Sequence, residues 1–411
     1  MRPAATLLCA LLAVACSGPQ PSPAAEPPPL TTLPPPALAS PPPALPTPFL
    51  TAAPTATRVP ATTPPSAGPP SDAASLALAL EGLLDDWLVA SRAPGAVLGL
   101  RLADGQTVVV AGGQTDDAGG FPVEADHRFR IGSITKTFVA ALLVRLAGEG
   151  LLGLDDVLAL HVPWAPHAER VTVRQLLSHT SGMPDFAAEP AYRQGLLLDP
   201  GRVWTARETV EFVAERELDF DPGTEWAYSN TNYTLAGLVA EAVVGEPLAD
   251  LLRDRIAAPA GLADTYLEGL EDSPPIETAG HYDIDGDGDL ENVRIIPYTG
   301  LVTSGAAAGG LSSTAADVLA FAVGLAGGQL LDATQLEELT APAPGSPAYG
   351  LGVGLFRREG RDLWGHAGGL PGYTALLVHV PADGASAVVL VNASGVDVQS
   401  LIGDALRLAL E

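Results

Sequence analysis

Strand-like segments occur near both ends of the part of this chain that can fold, and they limit the architectures open to it. Two apolar segments, 96–102 and 107–111, come early, whereas 349–356, 373–380 and 387–391 come late. Roughly 200 residues of mostly helical pattern, broken by Gly- and Pro-containing loops, separate the two groups. This order predicts an α/β (α+β) fold: an antiparallel five-stranded sheet from both chain ends, flanked by helices, with a large, mostly helical insertion.

Turn and helix signals around the strands agree with this sheet. The sequences Ala-Asp-Gly at 103–105 and Pro-Ala-Asp-Gly at 381–384 are typical of tight turns. Leucines at helical spacing after Asp72 predict a helix ahead of the first strand, and an amphipathic pattern at about 398–410 predicts one behind the last. We therefore expect one folded domain over residues 71–411.

Proline dominates the stretch before this domain. Residues 17–70 hold 20 of the 39 prolines and two charged side chains, those of Glu26 and Arg58. Such a sequence cannot bury a core, so we expect it to be extended, with much polyproline II structure. We interpret residues 16–70 as a disordered stalk, with a glycosylated mucin-like spacer as the alternative.

The first residues predict export. In residues 1–15, Arg2 precedes an apolar run that is too short to span a bilayer, as in a signal peptide. Ala-Val-Ala-Cys, ending at Cys16, resembles the lipobox of bacterial lipoproteins, in which the cysteine is acylated. We expect a lipoprotein anchored to a membrane through Cys16 and facing the outside or the periplasm, with a secreted protein as the alternative. The net charge of −27 argues against a nucleic-acid partner, which needs a basic surface.

The only lysine of the chain lies three residues after a serine at a predicted helix start. Ser133 precedes an apolar stripe at helical spacing that stops near Gly150, and Lys136 follows one turn later on the same face. Helix N–H groups favour developing negative charge near such a serine. An amine can take the serine proton when burial lowers its pKa, whereas the 20 arginines cannot be deprotonated at working pH. An N-cap serine with a solvated lysine is the alternative.

Two later segments carry further candidate groups. Tyr228 and Asn230 precede a helix predicted to start at about Thr231 and to end at Gly245. A phenol can move protons if a cation lowers its pKa, and an amide can position a lysine. His366 lies in a Gly-rich segment, 364–372, where it can relay protons or serve structure. We interpret His179 as a structural residue that fixes a loop after a helix.

Three motifs together resemble the serine β-lactamase and penicillin-binding superfamily: Ser133-Ile-Thr-Lys136, Tyr228-Ser-Asn230 and His366-Ala-Gly368. The resemblance is closest to the class C β-lactamase-related branch, which includes D-alanyl-D-alanine carboxypeptidases, esterases and D-aminopeptidases. It extends from about residue 75 to the C-terminus and implies the β-lactamase/transpeptidase-like fold.

The resemblance also implies roles for these residues. Ser133 would be the acylated nucleophile, and Lys136 and Tyr228 would share the general acid/base work, with the acylation base left open between them. Asn230 would orient the lysine and the substrate. His366 stands where this branch has Lys or His.

The resemblance further implies an oxyanion hole formed by the backbone N–H groups of Ser133 and Gly369, with Gly368 beside them. It points to an extracytoplasmic D-Ala-D-Ala carboxypeptidase-like peptidase or esterase that works through an acyl-enzyme. The substrates would be D-Ala-D-Ala-type peptides, esters or β-lactams. A class C β-lactamase and a non-hydrolytic penicillin- or cell-wall-binding module are the alternatives.

One acidic segment partly resembles a calcium-binding loop. Asp283, Asp285, Asp287 and the following glycine fit the first positions of such a loop, but position 12 is Arg294, where a bidentate glutamate is needed. We therefore expect a solvated turn there, and neither a metal nor another cofactor in the protein.

Overall fold

The computed structural model of the protein describes residues 73–116, 119–284, 287, 289–294, 296–346 and 348–411. The signal peptide predicted at 1–15, the lipidation site at Cys16 and the stalk predicted at 16–70 lie outside these residues and stay predictions. Among the described helices, none is both long enough and apolar enough to cross a membrane.

The described residues contain eleven strands and thirteen α-helices. The strands are β1 (Gly95–Arg101), β2 (Thr107–Gly113), β3 (Phe129–Arg130), β4 (Tyr266–Leu267), β5 (His281–Tyr282), β6 (Glu291–Asn292), β7 (Leu311–Ser313), β8 (Gly354–Arg358), β9 (Arg361–Leu370), β10 (Tyr373–Val380) and β11 (Ala385–Val391). The helices are α1 (Ala73–Ser91), α2 (Thr135–Gly148), α3 (Val173–Leu177), α4 (Pro190–Leu198), α5 (Ala206–Glu211), α6 (Asn230–Val244), α7 (Leu248–Leu252), α8 (Ala258–Ala260), α9 (Thr299–Ser304), α10 (Ala306–Gly309), α11 (Ala315–Ala326), α12 (Ala333–Thr340) and α13 (Val398–Leu410). Short 3₁₀ turns lie at Gly132–Ile134, Leu158–Leu160 and Phe186–Ala188, and a π-helical turn at Arg253–Ala257.

Six strands form the main sheet, in the order β2-β1-β11-β10-β9-β8, and each neighbouring pair is antiparallel. β1 pairs with β11, with Ala96 opposite Val391, so the two ends of the domain meet inside the sheet as predicted. The turns predicted at 103–105 and 381–384 join β1 to β2 and β10 to β11. The large insertion between β2 and β8 is mostly helical, also as predicted.

The sheet has six strands where the sequence predicted five, because residues 361–370 form a strand instead of a glycine-rich turn. Glycine is a poor strand former, but it permits close approach of two backbones. A Cβ on Gly365 would lie 2.0 Å from the carbonyl oxygen of Leu377, and one on Gly368 would lie 1.9 Å from that of Ile131. The strand predicted at 349–356 begins later, at Gly354.

The main sheet separates two apolar layers. Val97 and Val388 belong to the layer shared with the helical insertion, whereas their neighbours Leu98 and Val389 belong to the layer under α1 and α13. This alternation follows from the period of two along a strand. Because both faces of the sheet are covered, its central strands β1 and β11 are mostly apolar.

Helix α2 lies deep in the layer of the insertion. Eleven of its fourteen residues are buried, including Lys136, so the helix is enclosed on nearly all sides rather than along the single apolar stripe seen in the sequence. Phe138 stacks on Phe321 of α11 with ring centroids 3.6 Å apart. The burial of α2 gives its first turn a dry environment.

Candidate active site

Ser133 lies in the 3₁₀ turn that leads directly into α2, near the helix N-terminus as the sequence predicted. The turn is fixed from both sides, because the hydroxyl of Thr135 donates to the carbonyl of Gly132 (2.7 Å) and accepts from the amide of Leu311 (3.1 Å). Gly132 has φ +50°, a conformation that favours glycine. These contacts present the Ser133 hydroxyl beside the helix start.

The amine of Lys136 donates to three oxygens. Its Nζ lies 3.0 Å from Ser133 Oγ, 2.8 Å from Asn230 Oδ1 and 2.6 Å from the carbonyl oxygen of Ala308. The side chain is fully buried, and burial lowers the pKa of Lys136 to about 7, although the charge of Asp185 opposes the shift. The three oxygens match the three N–H donors of the ammonium form. A substantial fraction of Lys136 is neutral at physiological pH, however, and in that form two N–H donors remain and the lone pair can accept the proton of Ser133.

Tyr228 is the second side chain that contacts the serine hydroxyl. Its hydroxyl donates to Ser133 Oγ at 2.8 Å, and its ring lies 4.7 Å from Lys136 Nζ. Tyr228 was expected to move protons if a cation lowered its pKa; instead, burial raises that pKa well above its ordinary value. Tyr228 is therefore a phenol at neutral pH, and Lys136 is the group beside Ser133 that can accept a proton.

Asn230 is the first residue of α6, and its side chain points to the lysine. Its Oδ1 accepts from Lys136, and its Nδ2 donates to both carboxylate oxygens of Asp185, at 3.3 and 3.1 Å. The helix was predicted to start one residue later and to end at Gly245, which has φ +83° and caps it. The structure thus brings Ser133, Lys136, Tyr228 and Asn230 together.

His366 lies in strand β9 and is held at both ring nitrogens. Its Nδ1 is 2.6 Å from the carbonyl oxygen of Ala367, and its Nε2 is 2.9 Å from the hydroxyl of Tyr349. Because a carbonyl only accepts, Nδ1 carries the proton and Nε2 accepts from Tyr349. Burial, reinforced by Lys136, lowers the pKa of His366 to about 3, so the imidazole is neutral. Of the two roles considered from the sequence, the geometry favours the structural one over the proton relay.

The end of β9 lies directly against the serine turn. A Cβ on Gly132 would lie 2.7 Å from the amide nitrogen of Gly369, and one on Gly368 would lie 3.3 Å from the amide nitrogen of Ser133. The two backbone N–H groups predicted to form an oxyanion hole are thus held close together. Glycine at these positions is what permits the approach.

His179 contacts the segment that carries Tyr228. Its Nδ1 accepts from the amide of Ser229 at 3.2 Å, so its proton is on Nε2, and its ring lies 4.3 Å from the ring of Tyr228. It follows α3 with φ +59°, and burial lowers its pKa. These contacts agree with the structural role expected for the loop after this helix.

Three participants were missed in the sequence. They are the carboxylate of Asp185, the hydroxyl of Tyr349 and the carbonyl of Ala308. Asp185 follows a proline in a loop and caps the 3₁₀ turn Phe186–Ala188, so its pattern was that of a capping residue. A carbonyl partner leaves no signal in side-chain identities at all.

One group of side chains ahead of the serine turn has the residue types that bind metals. Within the part of the chain that the structure describes, Glu124, Asp126 and His127 form a cluster of ligand atoms within 4.8 Å of one another. Two of the three are exposed, and exposed acidic groups commonly occur without a metal. In the segment that partly resembles a calcium-binding loop, Asp283 and Asp287 are among the described residues but Asp285 is not. The solvated turn expected there therefore stays a prediction.

The chain is similar in sequence to known proteins over most of its described residues. The profile of the Beta-lactamase family matches residues 79–410. The chain is 26% identical over 279 residues to penicillin-binding protein 4* of Bacillus subtilis, covering 62% of this chain and 59% of that protein. It is 29% identical over 327 residues to D-aminopeptidase of Cereibacter sphaeroides, covering 76% and 60%. The chain thus spans about three fifths of the length of these curated relatives.

A solved structure is similar over nearly its whole length. The D-amino acid amidase from Ochrobactrum anthropi SV3, complexed with L-phenylalanine amide, superposes with a TM-score of 0.72 and 32% sequence identity. The superposition covers 81% of this chain and 98% of the amidase. The mixed fold of antiparallel sheets and helices is therefore shared with that enzyme.

Proposed function

The chain belongs to the Beta-lactamase family, and from this we propose that it is a serine hydrolase that forms an acyl-enzyme on Ser133. The observation that carries the proposal is the position of Ser133 Oγ, 3.0 Å from Lys136 Nζ and 2.8 Å from the hydroxyl of Tyr228. A hydroxyl next to an amine that readily loses its proton is suited to attack a carbonyl carbon.

Acylation begins with neutral Lys136. Ser133 Oγ forms a bond to the substrate carbonyl carbon while its proton passes to Lys136 Nζ, and the resulting ammonium is held by Asn230 Oδ1 and the carbonyl of Ala308. The carbonyl oxygen becomes an oxyanion and accepts hydrogen bonds from the backbone N–H groups of Ser133 and Gly369. Donors fixed in this way require no reorganisation during the reaction.

Collapse of the tetrahedral intermediate breaks the bond to the leaving group, which takes a proton. Tyr228 donates toward Ser133 Oγ and stays protonated at neutral pH, so it is placed to pass its proton to the leaving group and to be reprotonated from Lys136. In deacylation, water attacks the ester carbonyl with Lys136 as base. The acid product leaves and the Ser133 hydroxyl is restored.

We infer amides and esters of D-amino acids as the first substrate class. The similarity to a D-aminopeptidase and to a D-amino acid amidase supports this class. The neutral imidazole of His366 supports it independently, because it supplies no positive charge for a substrate carboxylate. D-Ala-D-Ala-type peptides and β-lactams carry such a carboxylate and form the second class.

The proposal is tested by intact-mass analysis and turnover. The purified chain is exposed to a fluorophosphonate, to a penicillin and to a D-amino acid amide. The variants are Ser133→Ala and, as a matched control, Ser400→Ala, which changes an exposed serine in the first turn of α13. We expect one fluorophosphonate adduct in the wild type and in Ser400→Ala, none in Ser133→Ala, and release of ammonia from the amide.

The other outcomes separate the alternatives. A stable penicillin adduct without amide turnover indicates a carboxypeptidase-like enzyme or a non-hydrolytic binding module, which D-Ala-D-Ala peptide turnover then distinguishes. Rapid hydrolysis of the penicillin indicates a class C β-lactamase. An adduct that persists in Ser133→Ala refutes the assignment of the nucleophile.

We also propose that the domain works outside the cytoplasm, anchored to a membrane by lipid on Cys16 and spaced from it by residues 17–70. The support is the sequence of the first 70 residues. Metabolic labelling with a palmitate analogue is expected to mark the wild type but not Cys16→Ser. A labelled Cys16→Ser variant, or a wild type found in the cytoplasm, contradicts the proposal.

A further inference from the structure

Asp185 carries a carboxylate that takes no part in the acylation steps but contacts the side-chain amide of Asn230. Asp185 caps the 3₁₀ turn Phe186–Ala188, where its Oδ1 accepts from the amide of Ala187 at 3.2 Å. The same oxygen accepts from the backbone amide of Asn230 at 3.1 Å, and both carboxylate oxygens accept from Asn230 Nδ2. Asp185 therefore contacts Asn230 through three hydrogen bonds.

These contacts fix which way the amide of Asn230 points. A carboxylate accepts hydrogen bonds and an amide NH₂ group donates them, so Nδ2 must face Asp185. The amide oxygen then has to face the opposite side, where it accepts from Lys136 Nζ at 2.8 Å. Without the carboxylate, the reversed amide would place its NH₂ group against the ammonium of the lysine.

The charge of Asp185 also reaches the lysine. The titratable groups that act on Lys136 or lie against it come from several elements, namely Asp185, Tyr228, Tyr233, His179 and His366. The two histidines have lowered pKa values and the two tyrosines raised ones, so all four are neutral at pH 7. Asp185 is the carboxylate in this set. Burial raises its pKa, whereas the N–H donors of Ala187 and Asn230 and the charge of Lys136 favour its ionised form, and that ionised form favours the protonated lysine.

We propose that Asp185 is a positioning residue: it orients the amide of Asn230 toward Lys136, and its negative charge holds the lysine proton. The effect on catalysis rests on the proposed function, because it matters only if Lys136 is the base for Ser133. The carboxylate thus sets the lower end of the pH range in which the enzyme works.

The sign of the effect follows from the charge. Removing the anion makes the lysine lose its proton more easily, so the acidic limb of the rate profile moves to lower pH. For unit charges about 7 Å apart at an effective dielectric constant of about 20, the expected displacement is about one to two pH units. The rate at the plateau falls as well, because Asn230 is no longer held in one orientation.

The experiment uses the fact that Lys136 is the only lysine of the chain. Labelling with [¹³Cε]lysine gives a single side-chain signal, whose chemical shift reports protonation with no need for activity. The signal is titrated in the wild type, in Asp185→Asn and in Asp185→Ser, which keeps a capping oxygen without the charge. Asp397→Asn is the matched control, because Asp397 also caps a helix but lies at the start of α13.

We expect the lysine midpoint to fall in both Asp185 variants and to stay unchanged in Asp397→Asn. The pH profile of fluorophosphonate labelling is expected to move in parallel. An unchanged or raised lysine midpoint in a folded Asp185 variant overturns the inference, whether or not the enzyme is active. A wild type that takes no fluorophosphonate label contradicts the proposed function instead, and leaves the lysine titration to decide on Asp185.

Discussion

Lys136→Arg keeps the positive charge of the buried side chain but removes its ability to lose a proton. With a pKa of about 7, Lys136 is about nine-tenths neutral at pH 8, whereas fewer than about one in 10⁴ guanidinium groups are neutral there. General-base catalysis contributes about 10²–10⁴-fold to a rate. We therefore expect fluorophosphonate labelling and amide turnover to fall by about 10³-fold or more.

The assay has to distinguish the loss of the proton acceptor from steric disruption of the site, because the guanidinium is larger than the amine it replaces. Lys136→Ala leaves a space in which a small primary amine such as propylamine can act, so added amine is expected to restore part of its rate. Arg145→Lys, on the same helix but partly exposed, is the matched control and is expected to keep the wild-type rate. A folded Lys136→Arg variant with more than a tenth of the wild-type rate refutes the assignment of Lys136 as base.

Three further expectations follow from the structure. The wild-type rate of labelling rises with pH and has its midpoint near 7, because the neutral form of Lys136 is the active one; a rate that falls through pH 7 contradicts this. Gly132→Ala destabilises the fold by about 1–2 kcal/mol and lowers the labelling rate more than tenfold, because φ is +50° and the new Cβ meets Gly369. A variant with the melting temperature and labelling rate of the wild type would be inconsistent with that contact. Phe138→Ala costs about 3–5 kcal/mol in chemical denaturation while the folded protein still labels, and a loss below about 1 kcal/mol would argue against the buried stack on Phe321.

Local signals predicted much of the fold because they act through neighbouring residues. Gly245 ends α6 with positive φ, and the Pro-Ala-Asp-Gly turn at 381–384 joins β10 to β11. Helix α13 has the bounds that its amphipathic pattern indicated. By contrast, strand β9 was missed because its glycines satisfy a contact with a distant segment, at Ile131, which no local pattern records.

The same distinction applies to the candidate site. The pair Ser133 and Lys136 was accessible from spacing and composition, since a lone lysine one turn after a serine is a local pattern. The neutral state of His366 was not, because it depends on burial and on the nearby Lys136, and only the folded chain brings these together. Asp185 was also out of reach, because its partner Asn230 is 45 residues away and belongs to another element.

The pairing of β1 with β11 has a consequence for how the chain is made. The residues joined there, such as Ala96 and Val391, are about 300 positions apart. At a synthesis rate of about 5–20 residues per second, β1 waits on the order of 15–60 s for its second neighbour. During this time the apolar strand β1 is paired with β2 on one side but lacks β11 on the other.

The domain therefore cannot complete its sheet while it is still emerging from the ribosome. Only after β11 is released can the N-terminal hairpin insert beside it and enclose the two apolar layers. Such late closure leaves the newly made chain open for binding by chaperones, and it makes truncation at the C-terminus as damaging to the fold as truncation at the start of β1.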